Sequence, residues 1–198
     1  MRVTGGNARG RQIKAPKGQA VRPTAGRVKE ALFNILGQDL SGARVLDLFA
    51  GTGNLTIEAL SRGAVRAVLV DSAERSAVLI RENLSRLELL DRCTVWVMPV
   101  ARALRLLAGR GELFDLVFLD PPYNHRQVGS ALKSIGAANI LAPSSIVVVE
   151  HSIREPIGPR IEGLVLKDER RYGDTLLSFL IPASRSSLSN EGHPQDVR

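Results

Sequence analysis

The residues Asp120-Pro121-Pro122-Tyr123 follow an apolar run and form the most specific chemical pattern in this sequence. Methylation of a base amine needs the nitrogen lone pair, which is delocalised into the ring. Acceptors that bind the amine hydrogens can turn this lone pair toward a methyl group, and the Asp120 carboxylate and the Pro121 carbonyl are suited to that. The two prolines each fix φ and so hold the carbonyl direction. Tyr123 can stack on an extruded base. The motif predicts methyl transfer to an exocyclic amine, and the alternative is an ordinary turn.

A second motif, Asp47-Leu48-Phe49-Ala50-Gly51-Thr52-Gly53, has the order of a strand, a glycine turn and a helix. Such turns bind nucleotide cofactors at the carboxyl edge of a parallel sheet. A dinucleotide site needs glycine or alanine at the third position of its motif, where Thr56 stands, and Asp47 would repel a pyrophosphate. S-adenosylmethionine carries two positive groups and no phosphate. The charge pattern therefore favours S-adenosylmethionine as the cofactor.

A third candidate is Asp71, which ends the next apolar run, 18 residues after Gly53. A carboxylate at this position can accept hydrogen bonds from both ribose hydroxyls of a nucleoside cofactor. The alternative is a strand-end aspartate that caps the following helix. Taken together with the glycine motif, Asp71 and the adjacent Ser72 are predicted to line the cofactor site.

The elements that would position these motifs alternate between strands and helices, as in an α/β fold. Near-continuous apolar strands predict a mostly parallel sheet with both faces covered. An N-terminal helix is expected after Arg22-Pro23, with Thr24 as its N-cap and Gly37 at its end. The sheet is expected to have seven strands, at 44–48, 67–70, 93–97, 113–119, 146–149, 164–167 and 175–180, the last two forming an antiparallel hairpin. Further helices are expected at 54–62, 73–89, 102–108 and 128–135.

The positive charge of the chain is concentrated near its N-terminus. The net charge is +7, and residues 1–29 alone hold eight basic residues and no acidic ones. With a predicted hairpin at 3–14, this segment indicates a polyanionic partner, although a solvated basic tail is the alternative. The expected organisation is a basic extension at 1–40, an enzymatic domain at 41–181 and a disordered tail at 182–198. The sequence has one cysteine, Cys93, and no apolar segment long enough for a membrane span or a signal peptide. Both features indicate a cytoplasmic protein.

The chain resembles the RsmD family of 16S rRNA guanine-N2 methyltransferases, which have the Rossmann-like class I methyltransferase fold. The resemblance rests on MRVTGGNARGRQIKAP, RPTAGRVKEALFNIL, DLFAGTG, EALSRGA, DPPY and RYGDT, in this order. It implies transfer of one methyl from S-adenosylmethionine to guanine N2 of small-subunit rRNA, within an assembled or assembling particle. The expected enzyme is a monomer that uses no metal and no membrane. The alternatives are an amino-methyltransferase acting on another RNA, DNA adenine or protein glutamine, and a non-catalytic RNA-binding protein.

The resemblance also implies roles for particular residues. The donor site would comprise Asp47, Phe49, Ala50, Gly51, Gly53, Asp71, Ser72, Val100 and Ala101. The catalytic loop would comprise Asp120, Pro121, Pro122 and Tyr123. The substrate would contact Arg9, Arg11, Lys14, Arg22, Thr24, Arg27 and Tyr172. Two positions depart from the expected pattern. Ala25-Gly26 follow Arg-Pro-Thr, where the family commonly has Thr-Asp or Ser-Asp. Met98-Pro99-Val100-Ala101 follow the third strand, where many class I methyltransferases have an acidic or amide residue that contacts the adenine amine, so adenine would be held by backbone and apolar contacts around Val100.

Overall fold

The sheet of this protein, seen in a computed structural model, has its strands in the order β3-β2-β1-β4-β5-β8-β7-β6. The structure describes residues 1–16, 23–122 and 127–183. The strands are β1 (Arg44–Leu48), β2 (Arg66–Asp71), β3 (Cys93–Val97), β4 (Phe114–Leu119), β5 (Leu141–Ser152), β6 (Arg160–Ile161), β7 (Leu164–Tyr172) and β8 (Thr175–Pro182). The helices are α1 (Pro23–Leu36), α2 (Asn54–Ser61), α3 (Glu74–Arg86), α4 (Val100–Arg110) and α5 (Gln127–Ala137).

The first five strands are parallel, and β8, β7 and β6 extend the sheet in antiparallel pairing. The chain runs from β1 outward to β3 and then crosses back to place β4 on the other side of β1. This reversal creates a crevice between the carboxyl ends of β1 and β4, where open α/β sheets bind ligands. Both chemical motifs of the sequence leave the sheet at this crevice.

Each face of the sheet has its own apolar core. One core joins α1, α2 and α3 with three residues of the N-terminal segment, Val3, Ala8 and Ile13. The other joins α4 and α5 to the opposite face. The central strands are buried on both sides, which explains their continuous apolar sequences. Among the described residues, no helix is long and apolar enough to cross a bilayer.

The predicted α/β fold is confirmed, and several element boundaries differ from the sequence prediction. Helix α1 begins at Pro23, so Thr24 lies inside its first turn and is not the N-cap. Proline suits the first helical position because its missing N–H would have no partner there. Gly37, at φ 98°, follows the helix as predicted.

The C-terminal half contains more strand than its apolar pattern predicts. Strand β5 begins at Leu141, although Pro143-Ser144-Ser145 interrupt the apolar run, because it pairs with β4 and β8. Strand β7 continues through polar residues to Tyr172 because β8 supplies its partner. The two-residue β6 was not predicted. Pro182 belongs to β8, so the predicted tail cannot begin at that residue, and the rest of that prediction, from residue 184 onward, lies outside the described residues.

Candidate methyltransferase site

The glycine motif forms a tight loop between β1 and α2. The backbone N–H of Ala50 donates to the Val70 carbonyl at 3.0 Å, and that of Gly53 donates to the Ala50 carbonyl at 2.7 Å. Gly53 has φ 74°, and a Cβ there would lie 3.3 Å from the Leu69 side chain. Phe49 also has a positive φ, 68°, which costs an L-residue roughly 1–2 kcal/mol. The surrounding contacts therefore hold the loop in a strained conformation of the kind that concentrates at ligand sites.

Asp71 fastens this loop to the end of β2. One carboxylate oxygen accepts the Gly51 N–H at 2.9 Å, and the other accepts the Ala73 N–H at 2.8 Å. The second N–H belongs to Ala73, the N-cap residue that precedes α3, so Asp71 holds the entrance to the helix without capping its first turn. A carboxylate oxygen has two acceptor positions, so each oxygen of Asp71 keeps one for a ligand hydroxyl. Ser72 is exposed beside it.

Asp47 lies beneath the loop and is 2% exposed. Its carboxylate accepts a hydrogen bond of 2.7 Å from the Thr56 hydroxyl. Burial raises the pKa of Asp47 to about 7, an effect that the Thr56 hydrogen bond opposes and the charge of Asp71 reinforces. Thr56, the residue that breaks the dinucleotide motif, therefore supports a buried acid. A cation bound nearby would stabilise the ionised form of Asp47.

Asp120 follows β4 directly, at the same edge of the sheet. Asp47 is in register with Phe118, so two residues further on Asp120 continues on the face that carries Asp47. Desolvation within the site raises the pKa of Asp120 well above its ordinary value, and the negative charges of Glu150 and Asp47 add to this effect. Asp120 nevertheless keeps an exposed surface, so solvent screens part of the shift. Sequence analysis missed Glu150, which follows Val149, the β5 partner of Leu119.

The described part of the predicted catalytic loop ends at its two prolines. Pro121 is buried and Pro122 is exposed, and Tyr123 lies outside the described residues. Where the described chain resumes, the Glu155 carboxylate accepts the N–H of Val128 in the first turn of α5, at 3.3 Å. The His151 ring in turn contacts the Glu155 carbonyl at 2.9 Å. The end of β5 and the residues after it therefore contact the first turn of α5.

The predicted donor residues on β3 and α4 lie at the same edge. The N–H of Met98 donates to the Asp71 carbonyl at 3.0 Å, which joins the end of β3 to the end of β2. Val100 begins α4 and packs partly against the apolar core, and Ala101 is exposed. At these two positions the site offers apolar contact and backbone, with no side-chain acceptor for an adenine amine.

The predicted substrate residues differ in solvent exposure and in the contacts that they make. Arg9 and Arg11 are exposed, and Arg11 donates to the Arg86 carbonyl. Lys14 is exposed and forms a 2.9 Å ion pair with Glu82. Arg27 is exposed on α1. Tyr172 is half-buried at the β7–β8 turn, opposite Thr175 of β8, which pairs with Ser152 at the carboxyl end of β5. Arg22 lies outside the described residues, as does the side chain of Thr24.

The N-terminal segment is packed on the body and is not a free basic tail. Residues 1–13 fold back on themselves, with Val3 donating to the Arg11 carbonyl and Ile13 donating to the Met1 carbonyl. Gly6 comes so close to α2 that a Cβ would lie 1.8 Å from the Ser61 carbonyl. Glycine at position 6 of the predicted hairpin therefore allows close packing against α2 in addition to forming the turn.

Glu58 of α2, which is fully buried, holds this segment in place. Its carboxylate accepts the backbone N–H and the hydroxyl of Thr4 and the N–H of Gly5. Lys29 and Arg62 each form a 2.9 Å ion pair with it. Burial favours a higher pKa for Glu58, but Lys29 and Thr4 outweigh this effect and lower the pKa. Lys29, counted among the basic charges of the N-terminus, is 5% exposed and so is not available to a partner.

The donor set fits a cationic nucleoside. Three carboxylates, those of Asp47, Asp71 and Asp120, gather at the β1–β4 crevice and its neighbouring strand end, and they influence each other's charge. A positively charged ligand relieves this repulsion, whereas a pyrophosphate would add to it. Asp71 keeps acceptor capacity for ribose hydroxyls. The residues present therefore suit S-adenosylmethionine.

Comparison with known proteins gives the same assignment. The profile of a family described as conserved hypothetical protein 95 matches residues 1–181. YlbH of Bacillus subtilis, named as a proposed rRNA methyltransferase, is 38% identical over 175 residues, which are 88% of this chain and 95% of YlbH. Ribosomal RNA small subunit methyltransferase D of Escherichia coli K12 is 33% identical over 77% of this chain and 75% of its own. The structure of a hypothetical protein of Thermus thermophilus superposes with a TM-score of 0.78 at 30% identity, covering 92% of this chain and 99% of its own.

The family match spans the glycine loop, the predicted catalytic loop and the N-terminal segment together, so it extends beyond the fold shared by many nucleotide-binding proteins. The order of strands and the carboxylates at the β1–β4 crevice agree with the activity of the matched relatives. The chain belongs to the conserved hypothetical protein 95 family, the RsmD family of S-adenosylmethionine-dependent methyltransferases.

Proposed function

We propose that this enzyme transfers one methyl group from S-adenosylmethionine to the exocyclic N2 amine of a guanine in 16S rRNA. The observation that carries the proposal is the position of Asp120-Pro121-Pro122 at the end of β4, across the β1–β4 crevice from the glycine loop. An rRNA substrate is supported by the name of the Escherichia coli relative. It is also supported by the exposed Arg9 and Arg11, which can bind phosphates without reading bases.

Asp120 and Pro121 orient the amine. Bound S-adenosylmethionine supplies an electrophilic methyl group. The Asp120 carboxylate and the Pro121 carbonyl accept the two amine hydrogens, which turns the nitrogen lone pair out of conjugation with the ring. The amine becomes acidic only when it gains the methyl, and the raised pKa of Asp120 suits this carboxylate to receive the released proton. Most of the rate enhancement then comes from orientation and proximity.

The proposal also includes the organisation of the chain and its contacts with the substrate. Residues 1–40 form an RNA-binding extension, residues 41–181 form the methyltransferase domain, and Tyr123 stacks on the extruded guanine. Arg22, Thr24, Arg27 and Tyr172 contact the substrate at the mouth of the site. The substrate is an assembled or assembling small subunit in the cytoplasm, and the enzyme acts on it as a monomer.

The test is methyl transfer from radiolabelled S-adenosylmethionine, followed by nucleoside analysis of the product. The substrates are small-subunit particles that lack guanine N2 methylation, the naked rRNA, duplex DNA and a glutamine-containing peptide. We expect the label in N2-methylguanosine, with the particle as the preferred substrate. Label in N6-methyladenine or in methylglutamine, with none in rRNA, would replace the proposal by one of these activities.

The donor site can be tested separately through Asp71. Replacement by alanine should weaken S-adenosylmethionine binding by about 1–3 kcal/mol, because it removes a charged acceptor of ribose hydroxyls and frees the Gly51 N–H. Calorimetry measures this, with Asp91→Ala, an exposed aspartate near the amino end of β3, as the matched control. NADH should not bind the wild type. Equal donor affinity for Asp71→Ala and Asp91→Ala would contradict the assignment.

A further inference from the structure

Asn83 of α3 has no part in the chemistry above, yet it joins two functional segments. It is 1% exposed. Its amide pairs with both backbone groups of Lys14: Oδ1 accepts the Lys14 N–H at 2.8 Å, and Nδ2 donates to the Lys14 carbonyl at 3.1 Å. The same Nδ2 donates to the Thr52 carbonyl at 3.1 Å. One buried amide therefore links the basic segment to the glycine loop.

Lys29 makes a second link of the same kind. Its ammonium donates to the Arg2 carbonyl at 2.7 Å and to Oδ1 of Asn54 at 3.0 Å, in addition to its ion pair with Glu58. Thr52 and Asn54 are the two neighbours of Gly53. The N-terminal segment is therefore bound to the glycine loop on both sides of Gly53.

Burial makes these links difficult to break one at a time. The Asn83 amide is the buried group, and a buried polar group that loses a partner keeps the cost of desolvation. If the N-terminal segment moves at Lys14, the Asn83 side chain cannot keep all its bonds. It either moves with Lys14 and loses the hydrogen bond to Thr52, or stays in place and loses the hydrogen bonds to Lys14. The position of the segment and the position of the loop therefore depend on each other.

We propose that Asn83 is a positioning residue that couples RNA binding on the N-terminal segment to donor binding in the glycine loop, with Lys29 as the second tie. The RNA half of this inference rests on the proposed function. RNA phosphates contact Arg9 and Arg11 and fix the segment, which fixes the Thr52 carbonyl and lowers the cost of ordering the loop around the donor. Such coupling is reciprocal, so the donor strengthens RNA binding by the same factor.

The experiment measures the dissociation constant of S-adenosylmethionine with and without saturating small-subunit rRNA particles. We expect RNA to tighten donor binding by about tenfold in the wild type, which is within the usual range for coupled sites. In Asn83→Ala the ratio should fall to near one, and RNA-free donor binding should weaken by a few-fold. Glu82→Ala is the matched control, because it removes the exposed Lys14 ion pair on the adjacent residue and leaves both backbone links. It should keep the wild-type ratio.

A purely structural role for Asn83 would lower the melting temperature without changing this ratio, so a wild-type ratio in Asn83→Ala overturns the inference. If that variant does not fold, Asn54→Ala takes its place, since it removes one contact of Lys29 at a half-buried position. It should lower the ratio part of the way, and an unchanged ratio overturns the inference. The inference is also overturned if the wild type methylates rRNA but binds S-adenosylmethionine equally tightly with and without the RNA particle. A wild type that binds no rRNA refutes the proposed function instead, and RNA-free donor binding then decides whether Asn83 supports the loop.

Discussion

Replacing Asp120 by alanine should lower the rate of methyl transfer by roughly 10²–10³-fold, the scale of losing one preorganised group that acts in the transition state. The affinity for S-adenosylmethionine should stay within a few-fold of wild type. The reason is that, in the proposed mechanism, Asp120 binds the amine as the nitrogen lone pair turns toward the methyl, an interaction absent from the donor complex. Single-turnover kinetics with the rRNA particle measure the rate, and calorimetry measures donor binding. Near-normal single-turnover methylation by Asp120→Ala would refute this role.

The pH dependence of methyl transfer provides a second test of the role of Asp120. In the proposed mechanism Asp120 accepts amine hydrogens as a carboxylate, so the rate should fall as the pH drops through the pKa of Asp120. Desolvation and the charges of Glu150 and Asp47 raise that pKa, so the fall should begin at a higher pH than for a free aspartate. Glu150→Gln removes one like charge and should move the fall to lower pH. An unmoved profile would mean that another group controls it.

The sequence correctly predicted the strands and turns that carry the two motifs, because these signals are local. The glycine motif and Asp120-Pro121-Pro122 each depend on a strand end and a turn, which a few consecutive residues determine. The parallel order of the central strands then brings the two together, because carboxyl ends of parallel strands meet at one edge. Strands β1 and β3 have the predicted bounds for the same reason: their apolar runs are short and continuous.

The features that were not predicted depend on contacts between distant parts of the chain. In the sequence, Glu58 resembles an ordinary helical glutamate. In the structure it binds Gly5 and Thr4, which lie 53 and 54 positions before it in the chain. Asn83 lies 69 residues from Lys14. The +8 charge of residues 1–29 was correct as a count, but it overstated the surface available to RNA, because Lys29 faces inward and Lys14 pairs with Glu82. Only folding shows which charges are used internally.

Glu58 should therefore contribute strongly to stability as well as to the position of the basic segment. Glu58→Ala leaves the buried Lys29 and Arg62 without their anion and the N–H groups of Thr4 and Gly5 without an acceptor. Removing one partner of a buried ion pair costs about 3–5 kcal/mol. The free energy of unfolding, from urea titration, should fall by this amount, and hydrogen exchange of residues 1–13 should accelerate.

Two comparisons separate this effect from a general loss of charge. Glu82→Ala breaks an ion pair whose side chains are 47% and 48% exposed, and it should cost less than about 1 kcal/mol. The pH dependence gives the second comparison. Because the pKa of Glu58 is lowered on folding, its contribution to stability is present above the unfolded pKa of about 4.3 and is lost as the pH falls through the folded pKa. Glu58→Gln should flatten the stability profile in this acidic range. Equal destabilisation by Glu58→Ala and Glu82→Ala, with segment exchange unchanged, would mean that the N-terminal segment is held by its apolar contacts alone.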